Sequence, residues 1–218
     1  MDILLAEGTD PERNLALEDE LLREVELGAR PATFRLWVNE PCLVRGPNRA
    51  RTNGWYHEDR ARERGVRVLT RTSGGGCVYH DHGNLNWSFY LPRVEGWVGA
   101  ARLFRPCAGL VVDALRALGV AAEFAPPNRI DAAGWKISGL AARATQGASL
   151  VHGTLLVATD LELLNALCIP PPGCPPVANL AELRPGLTLA GIARALATLV
   201  AASAPADAYK ESVSWISP

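Results

Sequence analysis

The sequence lacks the features that mark membrane and secreted proteins. No uninterrupted apolar run approaches the roughly 20 residues that a membrane-spanning helix requires. The nearest candidate, Thr188 to Ala204, is interrupted by Arg194 and has the pattern of a packed helix. No signal-peptide pattern opens the chain, since Met1 to Asp10 already carries Asp2 and Glu7. We therefore expect no membrane partner.

Cysteine pairing is also missing. The five cysteines are odd in number and none forms a C-x-x-C pair; they are Cys42, Cys77, Cys107, Cys168 and Cys174. Free thiols are typical of a reducing compartment, so we expect the protein in the cytoplasm. A chain of 218 residues buries roughly 70–75% of the surface that its unfolded form exposes, so it needs neither disulfides nor a metal to fold.

Neither sign of charge is in excess. The 22 Lys and Arg residues and the 23 Asp and Glu residues leave a formal net charge of −1, which gives no reason to expect nucleic acid as a partner. Arginine is nevertheless dense in one stretch, which contains Arg45, Arg49, Arg51, Arg60, Arg62, Arg64, Arg67 and Arg71. This stretch is either a solvated face or, alternatively, a pocket for an anionic substrate or a docking patch.

Hydrophobic periodicity predicts an α+β fold. Helical spacing is found from Asp10 to Gly28, from Val98 to Leu118 with a break near Pro106, from Leu161 to Leu167 and from Leu189 to Ala202. Strand patterns occupy Thr33 to Val38, Val66 to Leu69, Leu85 to Leu91, Gly134 to Thr145 and Ala148 to Ala158. Hairpin-like strand pairs among helices favour a mixed β-sheet covered by helices, in a single domain of residues 1–218.

A glycine-rich segment from Arg71 to Asn86 contains the first candidate site. Its three consecutive glycines, Gly74, Gly75 and Gly76, allow a ligand to approach the backbone and several N–H groups to point at one anion. Arg71 can add a two-pronged contact with a phosphate or a carboxylate. The alternative is an ordinary tight turn.

Three adjacent polar residues in this segment raise the question of a metal site. On a strand, His80 and His82 would share a face that Asp81 would not. No cysteine pair and no helical H-x-x-x-H spacing lies nearby, so a metal site is the weaker interpretation. The alternative is that Asp81 and Asn84 brace the loop through hydrogen bonds to the backbone.

Two later segments contain further candidates. Lys136 stands among apolar residues and glycines, and its ammonium could hold a carbonyl oxygen and a phosphate together. The alternative is a strand lysine whose ammonium reaches water. Downstream, His152 and Thr154 flank Gly153; they could close the far wall of the same pocket or belong to a buried strand with one satisfied histidine.

Taken together, these segments resemble the lipoate–protein ligase family, in the wider group of biotin–protein ligases and octanoyltransferases. The resemblance rests on Asn14-Leu15-Ala16-Leu17-Glu18, Arg35-Leu36-Trp37, Arg71 to Asn84, Lys136-Ile137-Ser138-Gly139, His152-Gly153-Thr154-Leu155-Leu156, Asn179-Leu180 and Leu183-Arg184-Pro185-Gly186. It implies a biotin/lipoate protein ligase-like catalytic domain, which is similar to class II aminoacyl-tRNA synthetases.

The resemblance also implies a reaction. Family members use Mg²⁺ and ATP to activate lipoate or octanoate as an acyl-adenylate, then transfer the acyl group to a lysine of a lipoyl carrier domain, as in 2-oxoacid dehydrogenases or the glycine cleavage H protein. Lys136 would bridge the acyl carbonyl and the α-phosphate. The nucleotide would be bound by Arg71, Gly74, Gly75, Gly76, Cys77, Val78 and Tyr79. The pocket and the acyl tunnel would be shaped by Ser73, His80, His152 and Thr154.

The chain departs from the family pattern in three places. Gly46-Pro47-Asn48-Arg49 replaces the usual G-R-x-Q. Pro127 to Asp131 replaces the usual R-N-D, which leaves Asp131 as the candidate magnesium contact. The sequence ends at Pro218 without the accessory C-terminal domain of full-length ligases, so we expect a single catalytic domain that could work with a separate accessory subunit.

Two other functions compete with the ligase. An ATP-independent octanoyltransferase would take its acyl group from acyl carrier protein and would need a cysteine nucleophile near the lysine. Cys174 is the best candidate, and the alternative, which the pattern favours, is a loop thiol pinned between the prolines of Pro170 to Pro176. A non-catalytic protein that holds lipoate or an adenylate is the third interpretation.

Overall fold

The computed structural model describes residues 1–6, 8–48, 54–93 and 100–203. The strands are β1 (Asp2–Leu5), β2 (Thr33–Trp37), β3 (Cys42–Arg45), β4 (Arg67–Thr70), β5 (Cys77–His80), β6 (Asn84–Pro92), β7 (Ala122–Ala125), β8 (Arg129–Ala132), β9 (Trp135–Ala144) and β10 (Ala148–Leu156). The helices are α1 (Pro11–Glu26), α2 (Glu58–Glu63), α3 (Phe104–Ala117), α4 (Leu161–Leu167), α5 (Leu180–Leu183) and α6 (Leu189–Ala202), and a 3-10 helix, Ala100–Leu103, precedes α3.

Two mixed sheets form the framework. The larger has seven strands in the order β1-β2-β6-β10-β9-β8-β7, in which only β1 and β2 pair in parallel. The smaller has the order β4-β3-β5, with β3 parallel to β4 and antiparallel to β5. The glycine segment connects β4 to β5, so the small sheet holds both of its ends.

Side-chain alternation along β6 divides the large sheet into two faces. Leu85, Trp87 and Phe89 belong to the main core, which α3 and α6 cover. The opposite face carries Tyr90, which packs against apolar side chains of α1. Ser88 is buried on that second face as well, so a buried polar patch lies between α1 and the sheet, next to the glycine segment.

The structure confirms the predicted α+β fold with mixed sheets covered by helices, and both Leu161–Leu167 and Leu189–Ala202 have the predicted bounds. The helix predicted from Val98 to Leu118 is instead a 3-10 turn followed by α3, and Pro106 lies in the first turn of α3, where its missing N–H is not needed; residues 94–99 lie outside the described ranges. Within the described ranges, no helix is long and apolar enough to cross a membrane.

Candidate functional site

The glycine segment lies against β9 of the large sheet. The Gly74 N–H donates to the Ala142 carbonyl at 3.4 Å. Gly75 has a φ of +94°, a left-handed conformation that favours glycine. A Cβ at Gly76 would lie 2.1 Å from the ring of Trp55, whereas a Cβ at Gly74 would meet nothing within 4 Å. The loop is therefore shaped at Gly75 and Gly76 by its own packing, and it is open at Gly74.

Arg71 braces this loop from inside. The guanidinium is buried and donates to the carbonyls of Val44, Gly74 and Gly76 at 2.9, 2.8 and 3.1 Å. Because a peptide bond is planar and trans, turning the Gly74 carbonyl toward Arg71 turns the N–H of Gly75 away from it. The predicted contact between Arg71 and a bound anion stays a prediction, since most of its donors serve the loop.

The rest of the arginine stretch matches a solvated face. Four of its members are exposed: Arg60, Arg62, Arg64 and Arg67. Arg45 is half-buried at the end of β3. Arg49 and Arg51 lie outside the described residues.

A buried hydrogen-bond chain connects the loop to α1. The Arg71 Nε donates to Ser73 Oγ at 2.9 Å, and Ser73 Oγ lies 2.6 Å from His152 Nε2. On the other side of the ring, His152 Nδ1 lies 2.9 Å from a carboxylate oxygen of Glu18. A carboxylate accepts, so Nδ1 carries a proton, and a neutral ring then offers Nε2 to the Ser73 hydroxyl. The predicted residues Ser73 and His152 are thus brought together.

Glu18 anchors this hydrogen-bond chain, and no sequence pattern predicted a role for it. It also accepts from Ser88 Oγ at 2.7 Å, and Ser88 in turn accepts from the indole N–H of Trp37 at 3.0 Å. Burial acts to raise the pKa of Glu18, but His152, Ser88 and Arg35 hold that pKa below its ordinary value. An acid four residues after Asn14 on the buried face of α1 was the available signal.

His80 is neutral and buried rather than a metal ligand. Burial and the nearby Arg71 charge lower the pKa of His80 to about 3. Its Nδ1 lies 3.1 Å from the side-chain amide of Asn39. His82 is exposed in the turn after β5, so the two histidines do not share a site. Among the described residues, no group of three or more His, Cys, Asp or Glu side chains could hold a metal ion.

Asp81 braces the turn, as the alternative interpretation predicted. Its carboxylate accepts from the backbone N–H groups of Gly83 and Asp160 at 2.9 and 2.8 Å. The Asn84 N–H donates to the Asp81 carbonyl at 3.1 Å. The remaining predicted residues of the glycine segment lie on β5: Tyr79 is buried in a small core with Leu43, and Cys77 and Val78 are half-buried.

Lys136 lies on β9, half-buried rather than extended into bulk water. Its Nζ and Cε lie 3.5 Å from the position that a Cβ on Gly139 would take, so the side chain runs forward along β9. That direction leads toward Ala142, where the glycine loop touches the strand. Within the described ranges, the ammonium has no hydrogen-bond acceptor and no ion-pair partner.

The proline loop runs past Lys136. The Lys136 N–H donates to the Pro176 carbonyl at 2.9 Å, and the Ala178 N–H donates to the Lys136 carbonyl at 3.3 Å. Cys174 is half-buried two residues before Pro176. The other end of the loop is attached near the glycine segment, because the Ile169 N–H donates to the Trp55 carbonyl at 2.8 Å.

Asp131 and Thr154 flank Lys136 on neighbouring strands. Asp131 pairs with Lys136 across β8 and β9, so both side chains emerge on the same face of the sheet. Its carboxylate accepts from Arg129 Nε at 2.8 Å. Thr154 Oγ1 accepts from the Gly139 N–H at 3.4 Å, and the lysine side chain passes the same glycine.

Comparison with known proteins agrees with this architecture. A provisionally named lipoate–protein ligase A of Aeropyrum pernix is 37% identical over 169 residues, which cover 77% of this chain and 62% of that protein. Three further curated relatives are matched over 43–48% of their own length. The chain thus spans about half the length of most of these relatives.

Two solved structures have the same fold. A lipoate–protein ligase A crystallised with ATP has a TM-score of 0.81 and 27% identity, over 92% of this chain and 84% of that one. Protein Ta0514 of T. acidophilum, solved with lipoic acid bound, has a TM-score of 0.79 and 26% identity over the same shares. Residues 10–200 match the sequence profile of the lipoyl protein ligase A/B catalytic domain, so the chain belongs to that family.

Proposed function

We propose that this chain is the catalytic domain of a lipoate–protein ligase. It activates lipoate or octanoate with ATP and Mg²⁺ to an acyl-adenylate, and transfers the acyl group to a lysine of a lipoyl carrier domain. The observation that carries the proposal is the placement of Lys136, a half-buried ammonium that runs along β9 toward the glycine loop.

The spacing along β9 suits a ligand that is held at both ends. Strands rise about 3.3 Å per residue, so roughly 20 Å of strand separates Lys136 from Ala142, and the lysine side chain covers part of that gap. An acyl-adenylate placed between them would have its phosphate beside the ammonium and its nucleotide on the glycine loop. The developing charge on the acyl carbonyl and on the phosphate would then be stabilised by one cation, an effect worth about 3–4 kcal/mol per well-placed donor.

The choice of lysine at this position is itself informative. The sequence contains 22 Lys and Arg residues, and only Lys136 and Lys210 are lysine. A compact ammonium with three rotatable donors can contact a carbonyl oxygen and a phosphate together, whereas the flat guanidinium is suited to a single planar anion. This chemistry favours a bridging role for Lys136.

The glycine loop supports the nucleotide end. Arg71 fixes the loop, and the N–H of Gly75 faces away from that guanidinium, so it is available to an anion without a change in the loop. Gly74 leaves room for a ligand at the backbone. Through His152 and Ser73, Glu18 holds the same loop from the opposite side.

Asp131 is the residue we propose for magnesium. Mg²⁺ is usually bound by one or two carboxylates together with substrate phosphates, so a single carboxylate beside Lys136 fits the ion when ATP is present. When Mg²⁺ binds, the hydrogen bond from Arg129 to Asp131, at 2.8 Å, would weaken or break. Mg²⁺ would neutralise phosphate charge there, while Lys136 orients the α-phosphate.

The proposed partners are lipoyl carrier domains, such as those of 2-oxoacid dehydrogenases or the glycine cleavage H protein. We also propose that a separate accessory subunit can assist the reaction, and that the reaction takes place in the cytoplasm. Mixing the chain with a carrier domain, with and without a candidate accessory protein, and measuring lipoylation by mass spectrometry tests the first two proposals together.

The test of the ligase is its dependence on ATP. Purified chain, lipoate, Mg²⁺–ATP and a carrier domain should release pyrophosphate and increase the carrier mass by one lipoyl group. Omitting ATP should abolish both signals. Modification of the carrier at the same rate without ATP would contradict the proposal.

One observation keeps the octanoyltransferase as a second candidate. The Pro176 carbonyl in the proline loop accepts a hydrogen bond from the Lys136 N–H, and Cys174 lies two residues before Pro176. If Cys174 is the nucleophile, Cys174→Ser should abolish transfer from octanoyl acyl carrier protein, and a thioester should be detectable on Cys174. ATP-dependent transfer that survives Cys174→Ser would exclude this candidate.

A further inference from the structure

Two half-buried cysteines meet where the glycine loop joins the small sheet. Cys77 is the first residue of β5, directly after Gly76, and Cys168 directly follows α4. Both pack against the small core that contains Leu43 and Tyr79. Their thiols lie close enough that each shifts the pKa of the other. Residues 77 and 168 are far apart in sequence, so the fold itself creates this pair.

The pair joins the two loops that border the proposed site. Cys77 ends the glycine loop, and Cys168 opens the proline loop that returns to Lys136 through Pro176. The Cys77 thiol and burial raise the pKa of Cys168, and the Lys136 charge acts in the opposite direction. Trp55 lies between the loops, because its ring covers Gly76 and its carbonyl accepts from the residue after Cys168.

The pKa values of the two thiols are shifted in opposite directions. The Cys168 thiol, together with the nearby Arg71 and Arg45 charges, lowers the pKa of Cys77 against the effect of burial. The Cys77 thiol and burial raise the pKa of Cys168. A thiolate with a neighbouring thiol is the arrangement of cysteines that are oxidised reversibly.

We propose that Cys77 and Cys168 are a reversible oxidation site, at which a peroxide forms a disulfide that links the glycine loop to the proline loop. The Cys77 sulfur attacks a peroxide oxygen, the O–O bond breaks, hydroxide leaves, and a sulfenic acid results. The Cys168 sulfur then attacks the Cys77 sulfur, the S–O bond breaks, and a water leaves with the Cys168 proton. Two thiols are oxidised and hydrogen peroxide is reduced to two waters.

The other buried thiols are poor competitors. Burial raises the pKa of Cys42 to about 12 and raises that of Cys107 as well, which leaves little thiolate at neutral pH. Cys174 lies in the proline loop, close enough in sequence to Cys168 to serve as a matched control. A thiol-reducing partner such as dithiothreitol should reverse the disulfide by exchange.

Peptide mapping tests the bond itself. The reduced full chain is treated with hydrogen peroxide, the remaining thiols are alkylated, and the digest is examined by mass spectrometry. We expect a cross-linked peptide that joins residues 77 and 168 and is two hydrogens lighter than its parts. In Cys168→Ser, dimedone should label Cys77 as a sulfenic acid, whereas Cys174→Ser should form the same bond as the wild type. Full alkylation of both cysteines after peroxide, or a bond between Cys77 and Cys174, would overturn the assignment.

The effect of the bond on activity rests on the proposed ligase function and is measured separately. Oxidised chain should lose at least about tenfold in pyrophosphate release, equivalent to about 1.4 kcal/mol, and dithiothreitol should restore it. A disulfide that forms without changing the rate would refute control of the site. If reduced chain shows no ATP-dependent activity, the ligase proposal fails, and the peptide map still decides whether the bond forms.

Discussion

Removing the Glu18 carboxylate should destabilise the fold, because the carboxylate anchors the buried hydrogen-bond chain. Glu18 accepts from His152 and Ser88 at 2.9 and 2.7 Å and lies fully inside the protein. Glu18→Ala leaves both donors without an acceptor, and each unsatisfied buried donor costs about 1–3 kcal/mol. Glu18→Gln keeps the shape and one acceptor, so we expect a loss of about 1–3 kcal/mol.

Urea unfolding followed by tryptophan fluorescence measures these losses. Glu20→Gln is the matched control on the same helix, because its ion pair with Arg13 is exposed and should contribute less than about 1 kcal/mol. If Glu18→Gln unfolds at the same urea concentration as Glu20→Gln, the buried hydrogen-bond chain does not contribute to stability.

The loss of stability in Glu18→Gln should depend on pH. The folded-state pKa of Glu18 lies below 4.5, so its carboxylate stabilises the fold fully above that pH, and this contribution is lost as pH falls through the folded value. The difference in free energy of unfolding between wild type and Glu18→Gln should be largest near neutral pH and shrink below pH 4.5. A difference that is constant with pH would show that the charge is not the cause.

Three further predictions concern the loop, the turn and the metal. Gly76→Ala places a Cβ 2.1 Å from the Trp55 ring and should lower the free energy of unfolding by about 1–3 kcal/mol, whereas Gly74→Ala, with open space, should change it by less than about 1 kcal/mol; urea titration of both decides. Asp81→Ala removes the acceptor of two backbone N–H groups and should cost about 2 kcal/mol in the same assay. Asp131→Asn should raise the Mg²⁺ concentration needed for half-maximal pyrophosphate release, and an unchanged Mg²⁺ titration would contradict the proposed metal contact.

The long elements were predictable from sequence, and most of the four-residue strands were not. α1 and α6 each repeat an apolar stripe over several turns, with caps at Asp10 and Thr188. β1, β3, β7 and β8 have four residues each, too few for an alternation to stand out. Their pairing comes from neighbouring strands in the sheet, which a local pattern does not contain.

Local sequence patterns likewise predicted only part of the candidate site. The motifs located Ser73, His152 and Lys136, because glycines and an isolated lysine change the local pattern. They did not indicate that Arg71 bonds the Val44 carbonyl or that Glu18 supports His152, since those contacts join residues 27 and 134 positions apart. The expected direct contact of Arg71 with the ligand stays a prediction, and its observed bonds show that it also braces the loop.

ATP–pyrophosphate exchange in the presence of lipoate tests the role of Lys136 most directly, because it isolates the activation step. Lys136→Ala should reduce exchange by at least about a hundredfold, and Lys136→Arg should restore little of it, since a guanidinium cannot take the same position. Lys210→Ala, which removes the other lysine, should exchange like the wild type. Exchange at the wild-type rate in Lys136→Ala would contradict the account.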